Sequence, residues 1–144
     1  PNNKGVAQVA TIIRFKDLLV NTKAEPPCEI FYGITKDTVP NASLVMGYTR
    51  SGPGMQNQRH YHPHSAAGQC KIKGNDKMVC GPDHDKTEVD FNEGNFNFIP
   101  RGEIHGAIGT GEANELVFCY PGVNSLADAG IVYMEPEWPK EDDA

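Results

Sequence analysis

The sequence predicts an all-β protein: a sandwich, jelly roll or barrel of many short strands. Three observations carry this expectation. Turn residues recur at short intervals, the runs between them are rich in β-branched and aromatic residues, and helical periodicity is almost absent. The turn signals are Pro26-Pro27, Pro40-Asn41, Ser51-Gly52-Pro53-Gly54, Gly74-Asn75-Asp76, Gly81-Pro82-Asp83, Asn92-Glu93-Gly94, Gly102 and Pro121-Gly122.

Taken in order, residues 15–20 (FKDLLV) read as one or two helical turns. Residues 29–35 (EIFYGIT) and 43–49 (SLVMGYT) read as strands. Residues 88–91 follow as a strand, and in 95–98 (NFNF) strict alternation puts Phe96 and Phe98 on one face. Residues 115–120 (ELVFCY) form the last clear strand. Phe96, Phe98, Leu116 and Phe118 read as barrel core. Residues 124–129 (NSLADA) are a short helix candidate with Ser125 as N-cap. The tail after Trp138, PKEDDA, is charged and should fray. No linker, repeat or low-complexity tract interrupts residues 1–144, so one domain is expected.

The 144 residues carry a formal net charge of -6, which disfavours a polyanionic partner and hence a nucleic-acid role. No apolar run approaches the roughly 20 residues needed to cross a bilayer, so no membrane partner is expected. The opening PNNKGVAQVATII has neither a basic start nor a long apolar stretch, and a cytoplasmic protein is expected. Cys28, Cys70, Cys80 and Cys119 form no CxxC pair, which argues against a zinc knuckle; mostly buried thiols are the plain expectation.

The chemistry concentrates in one stretch, Gly54-Met-Gln-Asn-Gln-Arg-His60-Tyr61-His62. Histidines at i and i+2 on a strand point to the same face, so His60 and His62 can offer a pre-aligned pair of imidazoles to a metal. A third ligand must come from elsewhere. His105 is the best candidate, because Pro100 and Gly102 fix the turn that precedes it.

Those residues resemble the cupin superfamily. Its first motif, G-x5-H-x-H-x4-E-x6-G, is matched by Gly54, His60, His62 and Gly74. Its second, G-x5-P-x-G-x2-H-x3-N, is matched by Gly94, Pro100, Gly102 and His105, with Gly109 in place of Asn. The resemblance spans about residues 42–122 and implies a single cupin barrel with short helical pieces, and a homodimer. One departure stands out: the family's glutamate ligand falls on Ala67. The resemblance then implies a metal held by His60, His62 and His105 alone, as in the β-diketone-cleaving and thiol dioxygenases. Three neutral ligands leave the metal charge uncompensated and favour an anionic substrate.

Other residues carry weaker expectations, each with a plainer reading beside it. His64 continues the i, i+2 series and could act as a fourth ligand or proton shuttle, or could be solvated. Glu103 could be a general base, or a solvated turn carboxylate. Gln58 and Cys70 are expected to line the substrate pocket, with Phe96 and Phe98 as its apolar wall. Arg59 and Tyr61 should point away from the metal. His84 reads as a solvated loop residue.

The leading functional expectation is a non-haem Fe(II) dioxygenase acting on a small enolisable or anionic substrate. A redox-neutral lyase, isomerase or cyclase using Zn, Ni or Mn is the second. A non-catalytic barrel binding a small ligand is the third, and the missing glutamate also leaves open a barrel that has lost its metal.

Overall fold

The computed structural model describes residues 9–22 and 28–134. The Pro26-Pro27 turn and the tail after Trp138 lie outside the described residues. Strands run where β-branched and aromatic residues alternate, and they break where glycine, proline or asparagine opens a turn. In chain order they are β1 (Val20–Asn21), β2 (Cys28–Ile34), β3 (Leu44–Ser51), β4 (His60–Tyr61), β5 (Ala67–Lys73), β6 (Asp76–Cys80), β7 (Thr87–Phe91), β8 (Phe96–Ile99), β9 (His105–Gly109), β10 (Asn114–Pro121) and β11 (Val132–Tyr133).

They form two antiparallel sheets. The first has the order β1-β2-β3-β10-β5-β8, and the second β11-β4-β9-β6-β7. From β3 onward the chain crosses from one sheet to the other at every step except β6 to β7, as in a jelly roll. The short β1 pairs with β2 of its own chain, Val20 opposite Phe31.

The core lies between the sheets. One cluster joins Met55, Ala67, Met78, Phe91, Ile99 and Ala107, and a second joins Cys28, Ile30, Val45 and Phe118. Burying side chains of the size of Phe91 or Ile99 contributes about 1.5–3 kcal/mol each. Among the described residues no disulfide links the cysteines, and no helix is long and apolar enough to cross a membrane.

Helix is scarce, as expected. The 15–20 stretch yields only a 3-10 turn at Phe15–Asp17, after which Leu18 is already extended. Phe15 explains the turn's place: its ring packs at a tilt against Phe31, centroids 4.6 Å apart, and meets Tyr48 edge-on at 5.7 Å, on the outside of the first sheet. The second candidate forms α1 (Leu126–Ala129), where Ser125 Oγ accepts from the Asp128 amide at 3.0 Å.

Phe118 is buried core, and Leu116 packs against the same cluster. Phe96 and Phe98 correct the expectation. They do share a face, but it is the outer one: they are 84% and 72% exposed. Their neighbours take the interior, since Asn97 donates to Gln69 Oε1 at 3.0 Å and Ile99 enters the core. Alternation fixes which residues share a face, not which face is buried.

Candidate metal centre

His60 and His105 are direct cross-strand partners between β4 and β9. His62 follows two residues after His60, just beyond the strand. The loop 100–104 that aims His105 is tight: the Glu103 amide donates to Pro100 O, and the Gly102 amide to His62 O, at 3.1 and 3.0 Å. The ring centroids lie 4.4 Å apart for His60 and His105, and 5.0 Å for His60 and His62. One ring nitrogen from each of the three lies within 4.8 Å of the others.

Each ring is oriented by the backbone. His60 Nδ1 meets Gln58 O at 2.6 Å, His62 Nδ1 meets Gly130 O at 2.7 Å, and His105 Nδ1 meets Glu103 O at 2.9 Å. A carbonyl can only accept, so each Nδ1 carries the proton and each Nε2 keeps its lone pair. Burial disfavours the charged form. It lowers His60 to about 3, helped by His105, and lowers His105 to about 4; His62 is lowered as well. All three are therefore neutral at pH 7. Neutral imidazoles with fixed tautomers and convergent lone pairs are the donor set that a late first-row divalent metal takes.

Ala67 stands where a fourth, anionic ligand would come from. It is 2% exposed and lines the same cavity, so a methyl group occupies that place. Gly109, the other departure, is explained by close packing. A Cβ there would lie 2.7 Å from Met55 O, and the Gly109 amide bonds that same oxygen at 2.6 Å.

The histidines open on a cavity of about 110 Å³. Its walls include Met55, Met78, Phe91 and Phe118, with Asn57, Gln69, Asp76 and Tyr120 as polar members. The residues expected to line it do not. Gln58 turns its amide to Met134 O at 3.4 Å, because irregular chain before β4 breaks the expected parity and brings Asn57 inward instead. Cys70 lies between the inward Gln69 and the buried Lys71, and so on the outer side of β5. Phe96, Phe98 and Glu103 line a different, open groove of about 710 Å³ on the barrel flank. There Glu103 helps burial to raise the Cys80 thiol; only its backbone oxygen serves the cluster. His64 is exposed beside Gly130, away from that cavity. Arg59 points away as expected: its side chain, 5% exposed, reaches Asp83 and Gly81 O and holds the 81–83 loop.

Sequence reasoning missed several contributors, among them Asn57, Gln69, Asp76, Tyr120 and the backbone of Gly130. Gln69 and Asp76 lie in β5 and β6, neither of which was read as a strand, and Asp76 was counted in the Gly74-Asn75-Asp76 turn. Gly130 supplies the His62 acceptor from the end of α1, a long-range contact with no local signal. The i, i+2 parity from Ala67 would have placed Gln69 inside.

The sequence matches no family model and no curated protein sequence. Solved structures do match the fold. Oxalate decarboxylase from Bacillus subtilis superposes with a TM-score of 0.72 at 15% identity, covering 92% of this chain and 34% of that one. Oxalate oxidase gives 0.65 at 20% identity, covering 79% and 58%. The polyketide cyclase RemF from Streptomyces resistomycificus gives 0.66 at 19% identity, covering 94% and 90%. This chain thus spans about a third of the decarboxylase and nearly all of the cyclase. The protein has the cupin fold.

Proposed function

We propose that His60, His62 and His105 together hold one divalent transition metal, and that the protein is a metal-dependent enzyme acting on a small anionic or enolisable substrate. One observation carries this reading: three buried, neutral imidazoles, each with Nδ1 engaged, present their remaining lone pairs to one another. Three like acceptors gathered in one place cannot donate to one another, and a cation can engage all three at once. When bound, the metal would act as a Lewis acid toward substrate oxygen. With no carboxylate ligand at position 67, its charge would favour an anionic group in the open positions.

The chain's own residues supply the rest. The backbone carbonyls of Gln58, Glu103 and Gly130 fix the rings, and Met55, Met78, Phe91 and Phe118 keep the cavity apolar. The size of the cavity supports a small substrate. About 110 Å³ is a few water volumes at about 30 Å³ each, against several hundred Å³ for a drug-sized ligand. Two of the similar structures are named for action on oxalate, a small dianion.

Within this class we favour Fe(II) and dioxygenase chemistry, because an imidazole set suits iron and an apolar wall protects reactive species from water. The second reading is redox-neutral lyase, isomerase or cyclase chemistry with Zn, Ni or Mn. It draws on the near-complete match in length to a cyclase. Oxygen consumption separates the two. The Fe(II)-loaded protein, screened with diketones, thiols and keto acids, should consume O₂ with substrate. Turnover of the same substrate under strict anaerobiosis would overturn the dioxygenase reading and leave the metal site standing.

A further inference from the structure

We propose that Asp76 is a second anchoring point in the histidine-lined cavity, accepting a hydrogen bond from a hydroxyl on a substrate whose anionic end sits at the histidines. This rests on the metal-site reading above. Asp76 and Lys71 are a fully buried ion pair, their side chains 1% and 0% exposed. Lys71 Nζ donates to Asp76 Oδ2 at 2.7 Å and to Asn114 Oδ1 at 3.2 Å, and lies 4.7 Å from the Phe91 ring centre. All of this engages one carboxylate oxygen. The other, Oδ1, has no hydrogen-bond partner among the described residues. Leaving a buried acceptor unpaired is costly, and more so for a charged one, so an ion pair that served only to hold the barrel would be expected to engage both oxygens.

Asp76 lines the same cavity as the three histidines. Strand register gives its place. Across β6 and β9, Cys80 faces His105 and Asp76 faces Gly109. Four residues of strand separate the two levels by about 13 Å, a span suited to a short carbon chain with a metal-binding group at one end. Asp76 and the core residue Met78, two positions apart, share the inward face. Gln69 also lines the cavity, its Oε1 fixed by Asn97 at 3.0 Å, which leaves its amide hydrogens to serve an acceptor. A hydroxyl is both donor and acceptor. An ammonium would meet Lys71 Nζ beside Asp76, so the neutral donor is favoured.

Calorimetric titration of the zinc-loaded full chain tests this with butyrate, γ-hydroxybutyrate and γ-aminobutyrate, and with valerate and δ-hydroxyvalerate. At least one hydroxy acid should bind about tenfold or more tightly than its unsubstituted parent. The Lys71→Met/Asp76→Leu double variant should lose that preference and keep the binding of the parent acid. It removes both charges together, and the comparison on the native chain decides the matter if the variant does not fold. Equal binding of hydroxy acid and parent in the native protein would overturn the anchor and leave the metal site intact. An undiminished hydroxyl preference in the double variant, or tightest binding of the amino acid, would overturn it as well. If no carboxylate binds and no zinc is retained, the metal reading itself fails and the anchor with it.

Discussion

At one end of the barrel interior three imidazoles face one another; toward the other, a lysine, an aspartate and an asparagine do. Both groups are buried and polar, and the cost of burial is met in opposite ways. Lys71 and Asp76 neutralise each other inside the fold. The histidines cannot, because all three are acceptors on the side where they meet. Burial, with repulsion from the neighbouring histidines, holds His60 and His105 well below the ordinary histidine value, so they stay uncharged even in mild acid. The self-neutralising pair offsets its charges and leaves Asp76 Oδ1 without a partner among the described residues, whereas in the histidine cluster no member can donate to another. The contrast teaches where each part of a ligand would engage: an anionic end at the three histidines, and a hydroxyl at the one oxygen of Asp76 that the ion pair leaves without a partner among the described residues.

Breaking the ion pair should have the largest effect. Lys71→Ala leaves the Asp76 charge buried and alone, and should cost about 3–5 kcal/mol in urea unfolding. Lys71→Met/Asp76→Leu should be neutral or stabilising by up to about 4 kcal/mol. If the single variant were as stable as the native protein, the pair would not be the desolvated one described.

The histidine end should show itself through pH. His60 and His105 sit at about 3 and 4 in the folded state, against an ordinary 6.5. Above pH 6.5 both folded and unfolded chains hold them neutral, and no stability is lost. As pH falls below that value, the unfolded chain takes up protons that the folded one refuses. Metal-free protein should therefore lose stability on the order of a few kcal/mol between pH 6.5 and 4. A His60→Phe/His105→Phe variant should show a flatter profile by thermal melting, and an equally steep one would assign the loss to other groups.

Smaller effects sharpen the role of α1. Gly130 combines φ 73° with ψ 156°, a region almost confined to glycine. A Cβ there would also lie 2.9 Å from Pro63. Gly130→Ala should displace the carbonyl that orients His62 and weaken metal binding by about 10–100-fold in a competition titration. Ser125→Ala removes only the N-cap and should cost about 1 kcal/mol of stability, with metal affinity little changed. Equal metal affinities in these two variants would detach His62 from its backbone support.

Much of the fold and the heart of the site were legible in the sequence, for different reasons. Turn residues are local signals, so the strands 29–35, 43–49 and 115–120 could be read to within a residue or two. The histidine spacing was legible because strand parity couples His60 and His62 directly. The inside face of β8 was not. Two phenylalanines look like core, yet Asn97 and Ile99 took the interior because Gln69 and the core receive them. Gln58 failed for a related reason: parity holds only along a strand, and β4 begins at His60. Contacts made across the chain, such as His62 to Gly130 and Lys71 to Asn114, leave no local trace.

The most direct measurement is the metal content of full-length protein prepared without chelator, before and after offering Fe(II), Zn, Ni or Mn, beside a His60→Ala/His105→Ala variant. The three-histidine site predicts close to one transition metal per chain in the native protein and almost none in the variant. No uptake of any of the four by a folded native protein, or equal uptake by both proteins, would contradict it.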